Sequence, residues 1–260
     1  MRKFIPILFT IFSFLFVFTI TAQEYNAMLN NGLKLADTPY GAGMLEVNDN
    51  EELEINGDAL DCVTFVEFAL AMSLCEEQGS GMSEIEFAHH LQKIRYRNGI
   101  INGYASRLHY ATDWINDNIK KGILEDVTAK NSDQKMNIFI NYMSTHADQY
   151  KQLRRSPAEV SKMADIERQI SGKAVHYLPK DKLPNEGLKW IKNGDIIAIT
   201  TNSPGLDVSH MGMAIYMKNN LHLLHASSKE GKVTVERIAL ASQLERNKDY
   251  TGIRVLRLKK

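Results

Sequence analysis

Cys62 directly follows Asp61 at the predicted start of a helix, a position that can activate a thiol. Unpaired backbone N–H groups and the positive end of the helix dipole lie at such a start, and both favour a thiolate. The thiolate is the nucleophilic form of cysteine, and the same N–H groups could bind a developing oxyanion. Position alone leaves the alternative, a buried structural cysteine, equally open.

A cysteine nucleophile requires a base, usually histidine, and a group that orients the base. His210 begins a predicted strand beside a Pro-Gly loop, from which its side chain can reach a cleft. A two-residue turn at Asn219-Asn220 would put His225 on the same sheet face, but four residues along and ~13 Å away. Direct contact then requires a shifted register, and otherwise Ser227 is the nearer orienting group. His225 could also be a strand histidine without a role.

The second cysteine, Cys75, would lie ~20 Å from Cys62 along one helix. This separation exceeds the reach of a disulfide, so we expect two unpaired thiols. The sequence contains neither a His-Glu-x-x-His motif nor paired Cys-x-x-Cys motifs. We therefore expect no metal site and no cofactor.

Helical patterns dominate the first half of the chain and strand patterns the last third, which predicts an α+β fold. Apolar spacing and capping signals predict helices from 62 to 74, after Ser83, near 108–119, near 136–150 and after Ser156. Strands are expected at 195–201, 210–218, 221–228, 233–238 and 252–258, in one antiparallel sheet. No linker divides residues 23–260, so we predict one domain, with a helical insertion at about 83–172.

Residues 1–22 are typical of a secretory signal, with Arg2-Lys3 before an apolar stretch that ends at Ala22. An uncleaved anchor is the alternative, but the stretch is short for a membrane-spanning helix. We expect cleavage and a periplasmic protein that no longer contacts the membrane. The formal net charge is zero, or about −2 without the leader, which gives no electrostatic reason to expect nucleic acid as a partner.

Several segments together resemble the NlpC-type superfamily of papain-like cell-wall cysteine hydrolases. They are TPYGAG (38–43), DCVTFV (61–66), GDII (194–197), SHMGMAI (209–215) and LHASS (224–228). Two further segments are similar to the N-acetylmuramoyl-L-alanine amidase-like branch, SRLHYATDW (106–114) and GLDVSH (205–210). That branch also carries a helical section between nucleophile and base.

The resemblance implies a papain-like fold, in which the nucleophile begins a helix that packs on the C-terminal sheet. It implies hydrolysis of the amide between N-acetylmuramic acid, including its 1,6-anhydro form, and L-alanine. Cys62 would attack the carbonyl, His210 would act as base, and His225 would orient His210. The expected partner is peptidoglycan or a muropeptide, and we expect a monomer.

The resemblance also implies substrate contacts from Tyr40, Arg107, His109, Tyr110, Asp207 and Ser209. Tyr40 corresponds to a pocket tyrosine near the nucleophile, and Arg107 could pair with a stem-peptide carboxylate through its planar guanidinium. His109 and Tyr110 could line the sugar side, although the ordinary surface of a helix start is the alternative. Gly41 replaces a bulkier residue of many relatives, which leaves the shape of the pocket open.

Two other functions fit the same residues. A γ-D-glutamyl-L-diamino-acid endopeptidase would share the catalytic residues and differ in its pocket. A non-catalytic peptidoglycan-binding module would retain them without turnover. The sequence does not choose between intact wall and released fragments as substrate.

Overall fold

The computed structural model describes residues 26–77 and 83–259, so the expected signal at 1–22 lies outside the described residues. The α-helices within these ranges are α1 (Ala27–Lys34), α2 (Cys62–Glu77), α3 (Glu84–Arg95), α4 (Ala111–Lys120), α5 (Val127–Asn131), α6 (Tyr142–Thr145), α7 (Lys151–Arg155), α8 (Pro157–Ile170) and α9 (Leu240–Arg246). The strands are β1 (Leu124–Asp126), β2 (Lys135–Asn137), β3 (Ala174–His176), β4 (Leu178–Pro179), β5 (Ile196–Thr201), β6 (Val208–Met217), β7 (Asn220–Ser227), β8 (Lys232–Val235) and β9 (Tyr250–Leu258).

The main sheet has the order β1-β9-β5-β6-β7-β8, and β4 also pairs with β9. All of these pairings are antiparallel. The predicted α+β fold with an antiparallel C-terminal sheet is therefore confirmed. β2 and β3 form a separate two-stranded sheet.

The centre of the sheet is covered on both faces, as alternate residues of β5 show. Ile196 and Ala198 belong to the core shared with α2, whereas Ile197 and Ile199 belong to the core shared with α9. Since both faces are buried, the first four residues of β5 are all apolar and do not alternate with polar residues.

Helix α2, which begins at Cys62, is the central helix of the fold. It packs against α1, α3 and the strands β6 and β7, and Phe65, Val66 and Leu70 are fully buried. Burial of each of these side chains contributes ~1.5–3 kcal/mol. Removing this helix from the sheet would therefore cost much of the stability of the domain, so the position of Cys62 is firmly fixed.

The segment expected to be a helical insertion, about 83–172, is only partly helical. Its strand β1 forms an edge of the main sheet, and β2 lies where the helix near 136–150 was expected. That expectation is right only for the short helix α6. Before it the chain is extended, because buried Ile138 and Ile140 flank exposed Phe139, which is the two-residue period of extended chain. Helices α3 and α4 of this segment pack into the main core through Leu91, Ile94, Trp114 and Ile115. A second, small core gathers Tyr104, Tyr110, Met143, Leu153, Met163 and Ile170.

Candidate functional site

Asp61 fixes the point at which helix α2, whose first residue is Cys62, begins. Its Oδ1 accepts hydrogen bonds from the N–H groups of Val63 (3.0 Å) and Thr64 (2.8 Å). The Asp61 N–H donates in return to Thr64 Oγ1 (2.8 Å), which completes a reciprocal cap. Because this cap uses the Val63 and Thr64 N–H groups, only the Cys62 N–H among these three remains for an oxyanion.

His210 and His225 are in direct contact, which the sequence left open. Nε2 of His210 lies 2.6 Å from Nδ1 of His225, and the rings are perpendicular with centroids 4.8 Å apart. Ser227 is the acceptor of a turn N–H from Glu230 (3.2 Å). In this geometry His225, rather than Ser227, is the neighbour that can orient His210.

The turn between β6 and β7 explains how the two histidines meet. It lies at Lys218-Asn219, with φ of 48° and 69°, and not at Asn219-Asn220 as expected. The strands therefore pair Met217 with Asn220, and the register brings His225 two residues closer to His210 along the sheet. The predicted common face was right, because moving the turn by one position shifts the register by two residues.

The sulfur of Cys62 lies against the strand that carries His210. The backbone groups of Met211, the residue after His210, and of Cys62 and Val63 lie close enough to the sulfur to lower the pKa of Cys62. The Cys62 side chain is partly exposed and unpaired, and Cys75 is a separate buried thiol. Cys62 and the strand that carries His210 therefore meet, and Cys62 is partly accessible to solvent there.

Burial keeps both the Cys62 thiol and the His210 imidazole uncharged. Burial, with the Asp61 carboxylate second, raises the pKa of Cys62 to about 11, and the backbone hydrogen bonds oppose this only in part. Burial, with neighbouring His225 second, lowers the pKa of His210 to about 3. The expectation that the helix start lowers the thiol pKa is therefore wrong, since desolvation exceeds the effect of the helix dipole.

Tyr40 lies near Cys62 in the structure. It forms a parallel bridge with Leu60, and its N–H donates to Gly231 O (2.8 Å). Burial raises the pKa of the Tyr40 hydroxyl, and the charges of Cys62 and Asp61 raise it further, which reflects their proximity. The hydroxyl is thus a neutral donor close to the sulfur.

Arg107 does not lie free for a substrate carboxylate. Its guanidinium forms ion pairs with Glu46 (2.5 Å) and Glu51 (3.2 Å) and stacks over the Tyr104 ring, 5.0 Å from its centroid. The residue is only 5% exposed. Arg107 is therefore part of the protein's own framework in this structure.

Three other predicted contact residues are also held by internal hydrogen bonds. Tyr110 donates to Glu167 (2.7 Å), and a ring nitrogen of His109 lies 2.9 Å from Tyr104 O. Asp207 accepts from the N–H of Thr112, near the start of α4 (2.6 Å). Ser209, the residue before His210, is exposed to solvent.

Burial shifts the pKa of each of these three groups, and it raises that of the Tyr110 hydroxyl. It lowers the pKa of His109 well below its usual value, with Arg107 adding to the effect. It raises the pKa of Asp207, although the hydrogen bonds from Thr112 and Val208 oppose the shift. Each group is thus a neutral or capped part of the interior.

In the part of the chain that the structure describes, no cluster of three or more His, Cys, Asp and Glu residues could hold a metal. No helix among residues 26–77 and 83–259 is long and apolar enough to cross a membrane.

Comparison with known proteins decides the family. Residues 31–253 match the AmiA-like family, described as N-acetylmuramoyl-L-alanine amidase-like. The chain belongs to this amidase-like family. No curated protein matches it.

Solved structures agree with the amidase-like fold. An N-acetylmuramoyl-L-alanine amidase from Bacteroides uniformis is 56% identical, with a TM-score of 0.88 over 90% of this chain and 99% of that one. A Bacteroides fragilis protein, provisionally named a xylanase, is 62% identical, with a TM-score of 0.86 over 88% of this chain and all of that one. A Legionella pneumophila protein, 24% identical with a TM-score of 0.68 over 90% of this chain and 88% of that one, shares the fold.

Sequence reasoning missed one group of residues near the amidase-like site. Arg95 pairs with Glu67 of α2 (2.7 Å), and both side chains are nearly inaccessible. Arg95 and Arg107 also contact the segment between Tyr40 and Asp61. The sequence does contain a signal for this group, six acidic residues between positions 46 and 58. Closely spaced carboxylates of this kind require nearby cations.

Proposed function

We propose that this protein is a peptidoglycan amidase that hydrolyses the bond between N-acetylmuramic acid and L-alanine. Cys62 is the nucleophile, His210 the base and His225 the orienting group, in a papain-like arrangement related to the NlpC-type hydrolases. The observation that carries the proposal is the 2.6 Å contact of His210 with His225 on strands that adjoin the capped start of the Cys62 helix.

Family membership and the Bacteroides uniformis amidase support the reaction class. The site supports acyl transfer by its own geometry. Because Nε2 of His210 is engaged by His225, Nδ1 is the ring nitrogen left to exchange a proton with the thiol. The neutral imidazole that burial enforces is the form that can accept this proton.

The reaction then has two halves. The Cys62 thiol gives its proton to His210 as sulfur attacks the lactyl carbonyl of the muramic acid. His210 gives the proton to the departing L-alanine nitrogen, which leaves a thioester on the sugar. His210 next takes a proton from water, which attacks the thioester and releases the acid and the thiol.

The Cys62 N–H and the Tyr40 hydroxyl are the groups we assign to the oxyanion formed in each half. Both lie near the sulfur, and both are uncharged donors. Fixed donors of this kind lower the barrier of acyl transfer because they need no rearrangement as charge develops.

The remaining proposals concern the setting of the reaction. We propose that residues 1–22 are a cleaved secretory signal, and that the mature protein acts in the periplasm as a monomer. Residues 23–260 would form one domain, and the substrate is intact peptidoglycan or a released, including anhydro, muropeptide.

Digestion of purified muropeptides, read by mass spectrometry, tests the proposal. Free disaccharide plus an intact stem peptide is the expected result, and Cys62→Ala should abolish it while Cys75→Ala retains it. A shortened stem still attached to the sugar would instead identify a γ-D-glutamyl endopeptidase. Binding without turnover would identify a non-catalytic module.

Xylan should be included as a second substrate because of the name given to the Bacteroides fragilis protein. Most glycosidases use two carboxyl groups about 5–9.5 Å apart across the scissile bond. The carboxylate next to Cys62 is instead bound to backbone N–H groups as a helix cap. Release of xylose oligomers by both the wild type and Cys62→Ala would contradict the amidase proposal.

A further inference from the structure

Residues 41–59 form a long segment without helix or strand, which we call the clamped loop. The loop starts beside Tyr40 and ends directly before Leu60, Asp61 and Cys62. Its two ends meet, because Tyr40 and Leu60 form a bridge and the Gly41 N–H donates to Leu60 O (3.2 Å). Irregular segments of this length are uncommon in compact domains, and they usually serve a function.

Arg107 holds the clamped loop by charge. It pairs with Glu46 (2.5 Å) and Glu51 (3.2 Å), and it donates to Leu45 O (3.3 Å). Burying these charges costs solvation free energy that the ion pairs largely offset, so their net effect on stability is small. What the pairs do provide is a single defined position for the loop.

Other residues hold the same loop from several elements. Arg95 of α3 donates to Glu54 O (2.5 Å), and Gln152 of α7 donates to Asn48 O (3.1 Å). The Tyr96 hydroxyl lies 2.8 Å from both the Glu51 carboxylate and Glu52 O. Residues of the segment between Cys62 and β6 therefore hold the clamped loop at several points along its length.

We propose that Arg107 is a positioning residue, which sets the clamped loop as a preformed wall of the substrate cleft beside Tyr40 and Cys62. This rests on the proposed amidase function and deepens it. It also changes the role of Arg107, which acts through Glu46 and Glu51 and not by pairing with a stem-peptide carboxylate.

The structure predicts which kinetic constant responds. The base of the loop is held by two backbone hydrogen bonds, from the Gly41 N–H to Leu60 O and from the Leu60 N–H to Pro39 O, and neither involves Arg107. Cys62 and its cap should therefore stay in place when the ion pairs are lost, while the wall moves. Loss of binding that is equal in the ground state and the transition state raises KM and leaves kcat nearly unchanged.

Kinetics of Arg107→Met, Glu46→Gln and the double variant on a purified disaccharide-peptide muropeptide test the proposal. Each single variant should raise KM on the order of tenfold, with kcat within about threefold of wild type. The double variant should be no worse than the poorer single variant, because both changes break the same contact. Lys130→Met is the matched control, since it removes a cation from the exposed pair with Glu125, outside the loop.

Additive effects, or a KM that rises in Arg107→Met but not in Glu46→Gln, would overturn the proposal in favour of direct substrate contact. If Arg107→Met does not fold, Glu46→Gln still tests the proposal. The Glu46 side chain is 33% exposed, so a neutral glutamine is readily accommodated there.

Amide hydrogen exchange gives a readout that does not depend on turnover. Exchange in residues 41–59 should be faster in both single variants, while exchange in α2 stays as in the wild type. Unchanged loop exchange would overturn the positioning role even if KM rises. If the wild type cleaves no muropeptide, the proposed function fails, and the exchange data alone still show whether Arg107 holds the loop.

Discussion

Replacing Asp61 with asparagine should make Cys62 more reactive while leaving helix α2 capped. In the wild type, burial and the Asp61 carboxylate raise the pKa of Cys62 to about 11, compared with 9.0 for an ordinary thiol. Because a pKa difference of one corresponds to 1.36 kcal/mol, burial and the Asp61 carboxylate together disfavour the thiolate by ~3 kcal/mol. At pH 8 the thiolate fraction is then about one in a thousand, roughly a hundredfold below an ordinary thiol.

The Asp61→Asn substitution removes the negative charge and keeps the helix cap. Asparagine keeps the side-chain oxygen that accepts from Val63 and Thr64, and it caps helices about as well as aspartate. The negative charge, which is the largest cause of the raised pKa after burial, is lost. We expect alkylation at pH 8 to accelerate roughly three- to tenfold, as the Coulomb interaction near a protein surface allows.

Alkylation rates between pH 6 and 11, measured by mass spectrometry on the peptide that contains Cys62, provide the assay. The fully buried Cys75 serves as an internal control for unfolding in each sample. A wild-type labelling pKa below that of a free thiol would refute the reasoning, since it would mean that burial does not dominate. An unchanged rate in Asp61→Asn would show that the carboxylate does not act on the sulfur.

Three further predictions concern the residues around the base. His225→Ala should lower kcat on the order of 100-fold, because His210 loses the partner that orients it, whereas Ser227→Ala should stay within about twofold in the same steady-state assay. Asp207→Ala should lower the free energy of unfolding by ~2 kcal/mol, because the buried Thr112 N–H and the partly buried Val208 N–H lose their acceptor; a change under ~0.5 kcal/mol in urea denaturation would contradict this role. Lowering the pH from 7 to 5 should destabilise the protein, because His210 has a pKa of about 3 when folded and 6.5 when unfolded, so the unfolded chain binds more protons below pH 6.5. His210 accounts for ~2 kcal/mol of that loss at pH 5, and equal losses in His210→Gln would argue against the assignment.

Features set by neighbouring residues were predictable from the sequence. The start of α2 after Asp61 and the reciprocal cap of α3 at Ser83 both involve residues no more than three positions apart. The common face of His210 and His225 also followed, because strand side chains alternate whatever the turn. These are short-range consequences of backbone geometry, which a single sequence contains in full.

Features set by distant partners were not predictable in the same way. The turn was misplaced because Lys218 adopts a positive φ, a conformation that its residue type does not signal. Arg107 was assigned to substrate because guanidinium groups suit carboxylates, but its carboxylate partners lie in the irregular loop upstream. No periodicity connects an irregular loop to a residue about 60 positions away, so only coordinates reveal the pairing.

The protonation state of the site follows from a comparison of magnitudes. A helix start stabilises a negative charge by ~0.3–1 kcal/mol at an exposed position, whereas burial and Asp61 here disfavour the thiolate by ~3 kcal/mol. The resting pair is therefore thiol and imidazole, and in the proposed mechanism the proton moves during attack on the carbonyl. A pH–rate profile does not separate this state from thiolate and imidazolium, because both hold the same number of protons. Ultraviolet absorbance of the thiolate does separate them. Because Cys62 is buried, we expect no thiolate absorbance in the wild type at neutral pH and its appearance only at alkaline pH.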